Sequence, residues 1–400
     1  MTLFRDGVNP AKLAVAVAGG FAIAWAGCLA TMLRGHSWIM DVQGRPIVTD
    51  FLEVWVAGRT TLAGAAASAY DPKLHHAAQV AAAGQEFHGF LWWHYPPIVL
   101  FLAAALGLMP YLPAFLVWVG STLACYLAAI AAIARSRVAA LLACAMPPVF
   151  INAVAGQNGC FTAALIGVVL LNLETRPILA GAFLGFLTYK PQFGILFPLV
   201  LVATGRWRAF ASAGVVAALT ILLPWGVFGG ETIRAFFHFL PRASQSLLVN
   251  GDAGWNKLQT VYGFTRWLGF QNLSASVLQG SVGIATAVAL VWLWRRRDVS
   301  YALKAASLAT AVLCATPYLY MYDLPILVVP LAFLHRERAF DAFELAGIAL
   351  AAACLLTFTF GVLVIPVGTF GIAIVAALIV RRTAERTRHF LPGRAAFQAA

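Results

Sequence analysis

The 400-residue chain is 62% hydrophobic and only 10% charged, with a mean hydropathy of +0.84 and a formal charge of +12. So apolar a chain leaves no room for a soluble domain of ordinary size and reads as one transmembrane domain over residues 1–400. Its basic residues are scattered over loops rather than gathered on a binding module, which argues against nucleic acid and for contact with anionic membrane lipids.

The first apolar stretch, 11–33, is long enough to cross about 30 Å of hydrocarbon and lacks a small-residue cleavage site, so it predicts an anchor. A long loop, 34–93, follows. Within it, 49–64 predicts a helix along the membrane surface, with Phe51, Leu52, Val54, Trp55 and Leu62 as its apolar residues. Asp50 and Glu53 open that helix in the pattern of a capping box, Asp50 as N-cap and Glu53 reaching back. Tyr70-Asp71-Pro72 predicts a turn, then a second helix over 73–86. The loop closes on Trp92-Trp93-His94-Tyr95-Pro96-Pro97, aromatics suited to the water–lipid boundary. Further apolar segments run over 95–109, 113–134, 138–154, 159–173, 177–189, 191–204 and 209–228. After a second long loop, 229–273, come 274–294, 301–317, 322–334, 341–358 and 361–380, then a tail over 381–400. Segment 95–109 amounts to roughly 22 Å of helix, which leaves open whether it crosses or is re-entrant.

Lys and Arg in short loops mark the cytoplasmic side. Placing Arg5/Lys12, Arg135/Arg137, Arg206/Arg208, Arg295-Arg296-Arg297, Arg336/Arg338 and Arg381/Arg382/Arg386/Arg388 inside leaves both long loops outside, with both termini cytoplasmic. About 18 basic residues then lie inside and about 9 outside, although the outside holds more loop. The six cysteines (Cys28, Cys125, Cys144, Cys160, Cys314 and Cys354) all fall in apolar segments and read as buried thiols. His75, His76, His88, His94 and His238 repeat no ligand spacing and read as ordinary interfacial histidines, so no metal or other cofactor is expected.

Several landmarks recur in a fixed order. They are Asp50-Phe51, Ala57-Gly58, Tyr70-Asp71-Pro72, Tyr95-Pro96-Pro97, Gly156-Gln157-Asn158, Lys190-Pro191, Gly205-Arg206-Trp207-Arg208, Pro317-Tyr318 and Tyr322-Asp323. Together, across about 48–325, they resemble the family 87 glycosyltransferases, polytopic GT-C enzymes of cell membranes that use polyprenyl-phosphate sugars. The resemblance implies a GT-C-like, all-α bundle of about 12 transmembrane helices with juxtamembrane helices in the first outer loop. It implies a catalytic aspartate in that loop, which is Asp50 here. It also implies a hexose donor, mannose by analogy, a lipid or glycan acceptor, and a bacterial plasma membrane with the site facing outward.

The chemistry of the residues fits those roles. A polyprenyl phosphate leaves readily, so the main need is a base for the acceptor hydroxyl; Asp50 is the candidate, and one base with in-line attack gives inversion. Lys190, a lone cation between apolar runs, and Arg59, on the Asp50 helix, are candidates for the departing phosphate. Gln157 and Asn158 can bind sugar hydroxyls or phosphate, and Tyr95 belongs to the same family pattern. Asp323 and Tyr322, in an aromatic cluster, are candidates for a second acid or a sugar platform, with Glu53 a further acid. Each has a plainer reading as well: a snorkelling lysine, a surface arginine, a Gly-Gln-Asn-Gly turn, an aromatic belt with a capping acid. A transporter or lipid flippase also has many spans and few polar groups, but these polar residues gather on one face and show no inverted repeat. A non-catalytic assembly partner of the same fold is the third reading.

Overall fold

Prolines and glycines cut the apolar stretches into helices of very unequal length. The computed structural model describes residues 10–89 and 91–389, and among these the chain is all-helical with no β-strand. The helices are α1 (Pro10–Arg34), α2 (Asp50–Leu62), α3 (Pro72–Ala83), α4 (Val99–Gly107), α5 (Tyr111–Ala134), α6 (Arg137–Cys144), α7 (Pro147–Ala155), α8 (Gly159–Asn172) and α9 (Pro177–Phe186). They continue with α10 (Leu196–Ala203), α11 (Trp207–Ser244), α12 (Val261–Trp267), α13 (Asn272–Arg295), α14 (Tyr301–Ala315), α15 (Val328–Glu337), α16 (Ala342–Thr359) and α17 (Gly368–His389).

Five of these, α1, α5, α11, α13 and α16, are long and apolar enough to cross a membrane. The bent pair α6 and α7, turned by 64° at its break, makes a sixth if counted as one span. Among the described residues five or six helices thus have the length and composition of a span, against about 12 transmembrane helices expected. Segments such as 159–173 and 301–317 form apolar helices of 10–17 residues, roughly 15–25 Å long. Proline opens α7 and α9 and the short 3₁₀ turn Pro191–Phe193, where its missing N–H costs nothing but continuation from the preceding segment is blocked.

Segment 95–109 forms only a short helix. Its helix, α4, has nine residues, about 13 Å, and lies against α2. A Cβ on Gly58 would stand 1.9 Å from the Ala103 carbonyl oxygen, and one on Gly107 would stand 2.8 Å from the Gly58 carbonyl carbon, so the two backbones touch through glycine. Among the described residues, the helix between the first loop and Arg135 that is long and apolar enough to cross is α5, whose first residue, Tyr111, shares a 3.3 Å hydrogen bond with Thr49.

Two local expectations are corrected. The N-cap of α2 is Thr49, in extended conformation and without a side-chain cap bond, so Asp50 is the first helical residue and no capping box forms. Asp71 is instead the working cap of the loop, accepting from the Lys73 and Leu74 amides at the start of α3. The stretch called a second loop is largely helical: α11 kinks at Gly229 (φ +80°), continues to Ser244 and ends in a π-helical turn, Gln245–Asn250. Phe236 and Phe239 of this arm pack on Tyr70, and Phe239 also meets Trp92 and His94, joining the two loop regions.

The expected tail is also helix as far as His389, while residues 390–400 lie outside the described chain. Arg382 is buried and pairs at 2.7 Å with fully buried Glu344; Arg338 and Arg381 join Asp341, Glu344 and Glu385 around it. This network ties α15, α16 and α17 together at their arginine-rich ends.

Candidate active site

Asp50 enters the structure at the amino end of α2, where unpaired amide dipoles favour an anion. Phe51 and Leu52 are fully buried, which fixes the face of the helix and turns Asp50 toward the α7–α8 turn. That turn approaches closely because Gly156 has no side chain: its φ is +68°, and a Cβ there would meet the Phe51 Cβ at 2.6 Å. Gln157, next in the turn, donates from Nε2 to Asp50 Oδ2 at 3.0 Å.

The bond to Asp50 is the end of a relay. Gln157 Oε1 accepts from the Tyr95 hydroxyl at 3.1 Å and from the Asn158 amide at 3.3 Å. Asn158 Nδ2 donates in turn to the Tyr95 oxygen at 2.8 Å. With Tyr95 as donor and acceptor at once, the Gln157 amide can face the carboxylate only with its N–H side. Tyr70 completes the support by donating to the Tyr95 carbonyl at 2.9 Å. Four sequence candidates, Asp50, Tyr95, Gln157 and Asn158, are thus one hydrogen-bonded unit.

Lys190 and Asp323 form a second unit. Lys190 Nζ donates to Asp323 Oδ1 at 2.7 Å, and both are buried. Asp323 Oδ2 accepts from the Tyr320 amide at 3.1 Å, so this carboxylate caps its own turn as well as the lysine. The Lys190 ammonium lies 5.6 Å from the Tyr322 ring centre, and Tyr322 stacks on Tyr320 at 5.3 Å. The two units meet at the Tyr322 carbonyl, which accepts from Asn152 Nδ2 at 3.3 Å. Gly159 abuts the same oxygen so closely that any side chain there would overlap it.

Glu53 sits one turn after Asp50 on the same helix and is buried, and no hydrogen bond reaches its carboxyl from the described residues. Burial, reinforced by the Asp50 charge, pushes its proton affinity well above the usual glutamate range. Burial also raises Asp50, opposed by the Gln157 hydrogen bond and then by Lys257 and Lys190. Burial lowers His94 to about 4, with Lys190 adding to the effect, so its imidazole is neutral at pH 7.

Arg59 is not brought to the site. Nine residues on from Asp50 along α2, about 13 Å by helical rise, it donates to the Gly107 carbonyl at 3.4 Å and lies 5.7 Å from the Trp55 ring centre. The residue missed in the sequence is Lys257, whose charge, like that of Lys190, favours the ionised Asp50 carboxylate. Its signal was present: it is the one cation between Arg242 and Arg266. Two apolar grooves, of about 690 and 680 Å³, flank Trp292 and Arg296 toward the Arg295 end of α13 and touch none of these residues.

Chain direction sorts the helix ends. α5 and α8 begin beside Asp50, α9 runs from Arg176 toward Lys190, and α17 runs from Gly368, tied to Gln259, toward Arg381. The polar site therefore occupies one end of the bundle, and the ends rich in arginine lie at the other.

The model of glycosyltransferase family 87 matches residues 93–317, more than half of the chain. Tyr95, Gln157, Asn158, Lys190 and Lys257 fall inside that match; Asp50, Tyr322 and Asp323 flank it. No curated protein and no solved structure matches the chain.

Proposed function

The chain belongs to glycosyltransferase family 87, and from that premise we propose that it transfers a hexose, mannose in our reading, from a polyprenyl-phosphate donor to a lipid or glycan hydroxyl. The anomeric carbon is inverted, and the reaction takes place at the outer face of a bacterial plasma membrane within a GT-C-like bundle.

The observation that carries the reading is the setting of Asp50. Among the described residues its Oδ2 has one donor, Gln157, and its Oδ1 has none, which leaves an oxygen for the acceptor hydroxyl. Burial raises its proton affinity toward the working pH, where a general base is most effective. In the proposed step Asp50 takes the hydroxyl proton as the acceptor oxygen bonds to the anomeric carbon. The bond from that carbon to the donor phosphate oxygen breaks, and its electron pair leaves with the polyprenyl phosphate. No second carboxylate has to protonate the leaving group, in contrast to glycoside hydrolysis. Tyr95, Asn158 and the Lys190–Asp323 pair line the sugar side of the donor. The outward orientation rests on the separation of the polar site from the arginine-rich helix ends.

The test is Asp50→Asn in the purified full-length protein. An asparagine oxygen can still accept from Gln157, so the fold should persist. Transfer from polyprenyl-phosphate hexose should fall about 10²- to 10⁴-fold, the usual contribution of a positioned base. A folded variant with wild-type turnover would refute the assignment. Turnover from a nucleotide sugar, with none from the lipid-phosphate sugar, would overturn the donor class.

A further inference from the structure

We propose that Lys257, on the loop between α11 and α12, is the cation that receives the donor's phosphate, an assignment that rests on the reading of Asp50 as the centre of transfer. Two lysines act on the Asp50 carboxylate, and their circumstances differ. Lys190 is buried with its charge matched by Asp323 at 2.7 Å. To serve a phosphate it would have to abandon a buried carboxylate, or admit a second anion beside the first, and both are strongly unfavourable. Lys257 is exposed, and among the described residues its ammonium has neither an ion pair nor a hydrogen bond.

The backbone that carries Lys257 is clamped while its side chain is not. Gly251 and Gly254 take φ of +70° and +86°, a path that favours glycine. Trp255 donates to the Leu248 carbonyl at 2.9 Å and lies under the Arg266 guanidinium at 4.1 Å. On the other side, Leu258 forms a β-bridge with Tyr320, and the Gln259 amide donates to the Leu319 carbonyl at 2.7 Å. Fully buried Gln259 donates from Nε2 to the Asn256 and Lys257 carbonyls, each at 3.1 Å, and accepts from the Gly368 amide at 2.8 Å. The loop is therefore pinned to the Tyr320–Asp323 segment of the site. A four-carbon stem on a fixed base can follow an anion without disturbing the fold.

The reaction makes such a cation useful at the right moment. The donor's phosphodiester carries one negative charge, and cleavage of the sugar–phosphate bond produces a monoester that gains a second. A positive group facing that phosphate is worth more as charge develops than in the ground state, so it acts on turnover as well as binding. Because Lys190 is already neutralised, the uncompensated charge comes from Lys257.

The experiment uses the full chain in lipid nanodiscs, with polyprenyl monophosphate as the binding probe and polyprenyl-phosphate hexose as substrate. For Lys257→Ala we expect affinity for the monophosphate to fall about tenfold or more, as for loss of one charge-assisted hydrogen bond. Transfer should slow by about 10²-fold, and Lys257→Arg should restore most of both. Binding of the uncharged polyprenol and the thermal midpoint should not change. Wild-type turnover with unaltered monophosphate affinity in Lys257→Ala would overturn the Lys257 assignment and leave the Asp50 reading standing. If the wild-type protein neither binds the monophosphate nor uses the lipid-phosphate sugar, the donor reading fails and the Lys257 assignment falls with it.

Discussion

Gly159→Ala is a small change with a large expected effect, because the residue lies where the two halves of the site touch. A Cβ at 159 would stand 1.7 Å from the Tyr322 carbonyl oxygen, 2.7 Å from its carbon and 3.1 Å from Asn152 Nδ2. Real Cβ contacts stay beyond 3.0 Å, so α8 and the Tyr322 backbone must separate by about 1.3 Å, both being backbone with no flexible end to yield. That shift breaks the 3.3 Å bond from Asn152 and moves Gln157, two residues before Gly159, away from Asp50. Overpacking of this kind costs about 1–3 kcal/mol of stability. A misplacement near 1 Å at a reacting group can cost about 10²-fold in rate. The assay is turnover at saturating donor, read beside the thermal midpoint in detergent. Native turnover with an unchanged midpoint would show that the α8 start and the Tyr320–Asp323 segment are not held together as described.

Glu53→Gln should stabilise the protein, and the gain should depend on pH. A carboxyl with a raised folded pKa contributes stability below its unfolded value, near 4.5, and loses it as pH rises through the folded value. Glutamine has no such loss, so the variant's advantage should be absent at acid pH, grow above about 4.5 and level off at about 1–3 kcal/mol; a loss of stability at neutral pH would mean that Glu53 holds a partner. For the Lys190–Asp323 pair, Lys190→Ala should cost about 3–5 kcal/mol by leaving Asp323 buried and alone, whereas Lys190→Met with Asp323→Leu should recover most of it. Chemical denaturation of the single and double variants checks this, and a single variant as stable as wild type would show the pair to be solvated.

The membrane character, the all-helical class and the outline of the first loop were legible because composition and period carry them. The helix at 49–64 was found to within two residues at either end, since Phe51, Leu52 and Val54 mark a buried face. The number of spans was not legible. Hydropathy registers an apolar stretch whether it runs 24 residues, as α5 does, or 9, as α4 does, and the difference lies in contacts that sequence does not display. Gly58 and Gly107 are read as ordinary small residues until a neighbouring backbone is placed against each. Likewise nothing local shows that α11 resumes beyond Gly229 and folds its aromatic arm over Tyr70 and Trp92.

At the site, residue types were easier to read than pairings. Gln157 and Asn158 stood out as polar groups in an apolar context, and the structure adds that Tyr95 orients both. The capping reading failed because helix start is decided by backbone conformation, and Thr49 rather than Asp50 is the extended residue. That one-residue difference changes the electrostatics. As an N-cap, Asp50 would spend an oxygen on its own backbone; as the first helical residue it keeps the dipole's support and leaves the carboxylate to Gln157 and to a ligand. Glu53, freed from the same box, becomes a buried acid that favours its neutral form and so spares Asp50 a second adjacent negative charge. The lysines divide in the same way: Lys190 looked available because Asp323 is 133 residues distant in sequence, and Lys257 was passed over because its loop carries no apolar period. Pairing across that distance consumes the first charge, and it is the second that remains for a substrate.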